Sequence, residues 1–181
     1  EGPMLDKIGD GGYDLGARAK QIRDDLFERQ HFSPADMLAI QLDDRALFLS
    51  RWRALLDETV KQGKAEPWRT EMRQAMRDWD GYASTDSVAY RLVREFPQEV
   101  IRTVLDGFAA AVRIKYPSFM LPKLNQAEHA VWMLVQTRPP HLLPSIYTDW
   151  QDMLDSCARR LAERMRGQPG GIAARTWGER N

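Results

Sequence analysis

The sequence predicts an all-α fold, an irregular bundle of helices, and three observations support this class. Apolar residues recur at steps of three and four through most of the chain, the spacing of one face of a helix. Several segments open with helix-start signals, such as Ser33 followed by Pro34. The alternating pattern of a half-buried strand is missing from residues 17–166. With 181 residues, 43% of them hydrophobic, the chain can bury a core of its own.

The predicted helices fill one central domain, residues 17–166. The segment that follows Ser33-Pro34 has the widest apolar face, so we expect a single helix there, central in the bundle. Pro97 divides the apolar pattern of residues 84–112 into two helices, because the residue before a proline is pushed out of the helical region. Asn125 to Glu128 has the pattern of a capping box. The predicted helices cover about residues 17–30, 37–60, 67–79, 84–95, 97–112, 125–135 and 145–165.

Both ends of the chain differ in character from this helical domain. Residues 1–16 are rich in glycine and aspartate and predict a loop. Residues 167–181 begin with a Gly170-Gly171 break, and we expect residues 174–180 to form the first strand of a β part outside this chain. Because the chain also starts with Glu1 rather than methionine, we interpret it as a fragment of a larger protein.

Charge and composition exclude several classes of function. The 26 basic and 26 acidic side chains cancel, so no overall positive field favours binding to nucleic acid or an anionic membrane. No run of about 18 apolar residues predicts a membrane span. The single cysteine, Cys157, cannot form an internal disulfide and fits the apolar stripe of the last helix, where we expect it to be buried.

The residues by themselves give few candidates for catalysis. His31, His129 and His141 are scattered without the spacing that lets two metal ligands share a helix face. Asp43 and Asp44 lie in the most apolar segment, where a carboxylate needs a partner, and we favour an ion pair with a neighbouring arginine over a catalytic role. Six tryptophans at helical spacing indicate core packing more than recognition of carbohydrate or lipid.

Four segments, called landmarks below, carry a resemblance to a known family. They are residues 12–22 (GYDLGARAKQI), 37–46 (MLAIQLDDRA), 77–81 (RDWDG) and 176–181 (TWGERN). In this order they resemble the penicillin acylase family, which includes acyl-homoserine-lactone acylases. That family implies a four-layer αββα hydrolase whose nucleophile is a serine at the amino end of a β chain, with its own α-amino group as the base.

The resemblance places this chain in the helical stretch inserted into the β chain, downstream of that serine. No nucleophile is therefore expected in these residues, and the chain alone should be inactive. Arg18 matches the family arginine that organises the site through its fixed donors; without the resemblance, Arg18 would be interpreted as part of an ion pair near a helix start. No cofactor is required, but the family binds calcium, for which Asp10 and Asp14 are candidate ligands in the intact protein.

The resemblance also implies the substrates, partners and location of the intact protein. Its substrates would be N-acyl amides, such as β-lactam side chains or acyl-homoserine lactones, which links it to antibiotic biosynthesis or resistance. Its partners would be the remaining α and β chain segments of the same precursor, in the periplasm or outside the cell. The alternative is a helical protein-interaction module that stands alone and has no catalytic activity.

Overall fold

The structure, a computed structural model, describes residues 16–122 and 124–180 together with Pro3 and Lys7. Of the predicted loop before Gly16, only Pro3 and Lys7 are described, and Asp10 and Asp14 lie outside the described residues. Within the described ranges every regular element is a helix, and the only β pairing is an isolated bridge between Arg45 and Tyr82. The predicted all-α class is therefore confirmed.

Eight α-helices and three short 3-10 turns follow one another along this part of the chain. The α-helices are α1 (Ala17–Phe27), α2 (Pro34–Gln41), α3 (Ser50–Lys61), α4 (Pro67–Met76), α5 (Val88–Lys115), α6 (Ala127–Thr137), α7 (Trp150–Arg166) and α8 (Trp177–Arg180). The 3-10 turns are Leu47–Leu49, Pro140–Leu142 and Ile172–Ala174.

The core lies where α3, α4, α5 and α7 pack against one another. Trp52 of α3 meets Phe96 of α5 at this centre, and both are fully buried. The predicted stripe is confirmed within α7, where Trp150, Leu154, Cys157 and Leu161 are buried, but it does not include Ile146, which lies before the helix and is 80% exposed. By contrast, α1 and α2 contribute no buried residue, and they pack against each other at one edge of the bundle.

The predicted helix over residues 37–60 is wrong, because the chain forms two helices there. α2 ends at Gln41, and α3 begins only at Ser50. Between them the Asp43 carboxylate accepts a hydrogen bond from the backbone N–H of Arg45 at 3.0 Å, a local bond that competes with helix continuation. Only the second helix is central, since Leu42 at the end of the first is 68% exposed.

The predicted break at Pro97 is also wrong, because α5 runs without interruption through this residue. A proline removes one backbone hydrogen bond from a helix, but Phe96, Pro97 and Val100 are all buried, and their packing offsets that loss. The helix starts four residues later than predicted, at Val88, because the hydroxyl of Ser87 caps it by accepting a hydrogen bond from the N–H of Tyr90 at 3.0 Å.

The segment 174–180, predicted as a strand, forms a helical turn instead. The backbone N–H groups of Trp177 and Gly178 donate to Ser87 and Thr85 just before α5, at 3.1 and 2.5 Å. These bonds hold the segment against the start of α5. The two N–H groups therefore have acceptors without a neighbouring strand. The last long helix starts at Trp150 rather than Ser145, because Asp149 caps it.

Candidate functional site

Arg18, the predicted supporting residue, lies in the first turn of α1 and reaches the end of α2. Its Nη1 donates to the backbone oxygen of Asp43 at 2.6 Å, and its Nη2 donates to the oxygens of Ile40 and Gln41 at 2.8 and 3.1 Å. The last carbonyls of a helix have no N–H of a following helical turn to accept from. Arg18 donates to two of them, those of Ile40 and Gln41, and to the oxygen of Asp43 in the linker. The ion pair considered from sequence is therefore replaced by hydrogen bonds to backbone.

Asp43 connects the same two helices through its side chain. Its carboxylate accepts from Gln21 Nε2 of α1 at 2.5 Å and from Arg45 Nε and Nη2 at 2.8 and 2.7 Å. The hydrogen bonds from Arg45 hold the pKa of this carboxyl well below its usual range, and the pKa of the Arg45 guanidinium is raised by Asp43 and by Asp25. The predicted ion pair is confirmed for Asp43. It is wrong for Asp44, which is exposed and forms no ion pair among the described residues.

The second landmark contacts the third through backbone hydrogen bonds. The N–H of Ala46 donates to Gly81 at 2.7 Å, and the N–H of Ala83 donates to Asp44 at 2.9 Å. Gly81 has a φ of 92°, in the left-handed region that glycine adopts without strain. The turn after Trp79 and the linker after α2 therefore hold each other in place.

The third landmark contacts the fourth through three aromatic rings. Tyr90 lies between Trp79 and Trp177, with ring-centroid distances of 6.4 and 5.1 Å, and its ring meets that of Trp177 edge to face. Contacts therefore connect the described residues of the four landmarks, from the start of α1 to the start of α8, with Tyr90 of α5 as the link between the last two.

A cavity of about 670 Å³ lies beside the start of α1, the helix that carries Arg18. Its wall combines apolar atoms of Ala17, Leu47 and Phe48 with the polar side chains of Lys20 and Ser50. This size and this mixture of surfaces suit a small organic molecule with an apolar part.

The other residues considered from sequence lie elsewhere. No group of three or more His, Cys, Asp or Glu within the described ranges could hold a metal ion. Core packing, predicted for all six tryptophans, is confirmed for Trp52, Trp68, Trp79 and Trp150, whereas Trp132 and Trp177 are half-buried. None of the helices in the described part of the chain is long and apolar enough to cross a membrane.

Sequence reasoning missed the partners that fix this site. Gln21 contacts Asp43 across 22 positions, and Arg51 contacts Glu128 across 77. Glu128 does not close the predicted capping box; it binds Arg51 and Trp52 of α3 instead. Only the pair of Asp43 with Arg45 could be predicted from the sequence, because the two residues are only two positions apart.

Comparison with known families agrees with the arrangement of the landmarks. No curated protein and no solved structure is significantly similar to the chain. The profile of the penicillin amidase family matches residues 2–181. Because this match covers essentially the whole chain, and with it all four landmarks, the chain belongs to the penicillin amidase family.

Proposed function

We propose that this chain is the helical portion of an acylase-like hydrolase that cleaves N-acyl amide bonds. The nucleophile is a serine in another part of the protein, as in the αββα fold that the resemblance implies. The observation that carries the proposal is the convergence of Arg18, Gln21 and Asp43 on the end of α2.

Arg18 suits a supporting role near a reacting centre because hydrogen bonds fix its guanidinium group while some of its N–H donors stay available. Three of its hydrogen bonds go to carbonyl oxygens of α2 and the linker after it. The Nε–H and one Nη1–H have no acceptor among the described residues. A guanidinium is always charged and offers five N–H donors, so these two can orient a polar group on a neighbouring segment.

The surface around α1 and α2, called the α1–α2 corner, supports close packing against another segment of the protein. Phe27 is 83% exposed at the end of α1, and Leu38 and Leu42 are 52% and 68% exposed at α2. Several large apolar side chains on one edge are typical of a surface that another layer covers. We propose that the rest of the same precursor covers it.

The cavity beside α1 is the candidate wall of an acyl pocket. Phe48 and Leu47 supply apolar surface for an acyl chain, and Ser50 supplies a polar group. The proposal includes β-lactam side chains and acyl-homoserine lactones as substrates, a periplasmic or secreted location, and calcium bound with help from Asp10 or Asp14.

The test compares the isolated chain with the complete polypeptide of its reading frame, using a chromogenic N-acyl amide as the substrate. We expect no turnover by the isolated chain. In the complete protein, Arg18→Ala should lower kcat/KM by about 100-fold, the scale of losing one preorganised donor. Arg29→Ala is the matched control, since Arg29 is an exposed arginine on the turn after α1 that pairs with Asp36.

Two results would contradict separate parts of this proposal. Turnover by the isolated chain above a protein-free blank would show that the nucleophile lies within these residues. Equal kcat/KM for the Arg18 and Arg29 variants, with unchanged melting temperatures, would remove Arg18 from the site. Arg18→Lys, which keeps the charge but loses the fixed fork, should behave like Arg18→Ala.

A further inference from the structure

A basic groove runs between α3 and α4, away from the corner that carries Arg18. Two adjoining cavities of about 510 and 330 Å³ form it, and Lys61, Arg73 and Arg77 line both. Arg53 lines the larger cavity, whose wall also includes Met76 and Trp79. The groove is large enough for a small ligand.

The charge in this groove is strongly one-sided. Four of its lining side chains are basic: Arg53, Lys61, Arg73 and Arg77. Asp57 is the one acidic residue of the lining, and it already pairs with Lys61, so the net formal charge is +3. The whole chain has a net charge of zero, so this concentration is local and does not reflect a basic protein.

Within the described part of the chain, the side chains of the arginines in this groove form no hydrogen bond or ion pair. Most arginines of the described residues donate a side-chain hydrogen bond or join an ion pair. The exceptions whose side chains are described are Arg53, Arg73, Arg77 and Arg94, and three of these four line this one groove. Arg53 is held in place by the ring of Trp79, with its guanidinium carbon 5.5 Å from the ring centroid.

Helix geometry places these side chains along two facing stripes. Arg53, Asp57 and Lys61 follow one another at steps of four on α3, and Arg73 and Arg77 do the same at the end of α4. The helix dipole favours cations at the end of α4, but it does not account for the basic residues on the facing helix.

We propose that this groove binds a small phosphate-bearing anion. A net charge of +3 calls for a ligand with more than one negative charge, since like charges held together repel one another. A phosphoryl group offers oxygens in several directions and can therefore accept from guanidinium groups on both helices. A monocarboxylate has two oxygens in one plane, which satisfy only one such fork.

The test is isothermal titration of the chain with inorganic pyrophosphate at constant ionic strength. The variant Arg73→Ala with Arg77→Ala should weaken binding by about tenfold or more, the loss expected for charge-assisted hydrogen bonds. The control, Arg94→Ala with Lys64→Ala, removes the same two charges from outside the groove and should change the dissociation constant by less than about twofold. Circular dichroism melting of each variant checks that the fold is retained.

A gain of affinity provides a second readout that a folding defect cannot imitate. Asp57→Asn removes the acidic side chain of the groove and should tighten pyrophosphate binding by about threefold, the effect of one screened charge nearby. Acetate, added at a concentration that carries the same total negative charge, should not compete with pyrophosphate. The proposal is overturned if pyrophosphate does not bind at millimolar concentration, if acetate competes equally, or if both double variants weaken binding to the same extent.

Discussion

Glu128→Ala examines the polar contact that joins α6 to the centre of the bundle. Glu128 is 8% exposed, and its Oε1 accepts from the indole Nε1 of Trp52 at 2.5 Å. Both carboxylate oxygens also accept from Arg51 Nη2, at 2.7 and 2.6 Å. The guanidinium of Arg51 in turn lies over the rings of Phe48 and Trp132, so one carboxylate organises a cluster from three elements: the 3-10 turn before α3, α3 itself and α6.

The expected loss of stability follows from what the substitution leaves behind. Trp52 is fully buried, and an indole N–H without an acceptor there costs about 1–3 kcal/mol. Arg51 keeps 32% of its side chain exposed and regains water, so its share is discounted to below about 1 kcal/mol. Loss of an acid from the first turn of α6 adds about 0.5 kcal/mol. We expect a total near 3 kcal/mol, equal to a fall in melting temperature of about 6–12 °C.

The assay is urea unfolding of the isolated chain, followed by circular dichroism and by tryptophan fluorescence. Glu128→Gln keeps an acceptor for the indole and should lose only about 1 kcal/mol. In a Trp52→Phe background the donor is absent, so Glu128→Ala should lose about 1–2 kcal/mol less than in the wild type. A Glu128→Ala chain within 0.5 kcal/mol of wild type, or no coupling with Trp52→Phe, would refute this reasoning.

Two further predictions concern α5 and the α1–α2 corner. Gly107→Ala should destabilise the chain by about 1–3 kcal/mol despite the better helix propensity of alanine, because its Cβ would lie 2.6 Å from Cγ of Pro144. Gly16→Ala, whose added Cβ would have no atom of the described residues within 4 Å, should change the melting temperature little. Asp43 has a pKa lowered from 3.8, so its stabilising effect is present above about pH 4 and is lost as the pH falls toward the lower folded pKa. The stability difference between wild type and Asp43→Asn, measured by urea unfolding, should therefore shrink between about pH 5 and pH 2, and a constant difference would contradict this.

The sequence indicated more about the family than about the geometry of the site. Arg18 was singled out by its place in a landmark, but its contacts with the carbonyls of α2 could not be read from spacing, because they depend on how the chain turns between the two helices. The same holds for Glu128, whose position suggested a local cap and whose partners lie more than 70 residues away.

The amino-acid sequence by itself determined the all-α class, the apolar stripes of the long helices and the family, because helical periodicity and motif order are local properties of a chain. Tertiary structure decided where helices end and which segments are strands or turns. The same local pattern can continue or end a helix, depending on what packs against it. Pro97 stays within α5 because its neighbours are buried, and the helix after Ser33 ends early because Asp43 bonds to Arg45. Residues 174–180 became a turn because the start of α5 supplied their hydrogen-bond acceptors.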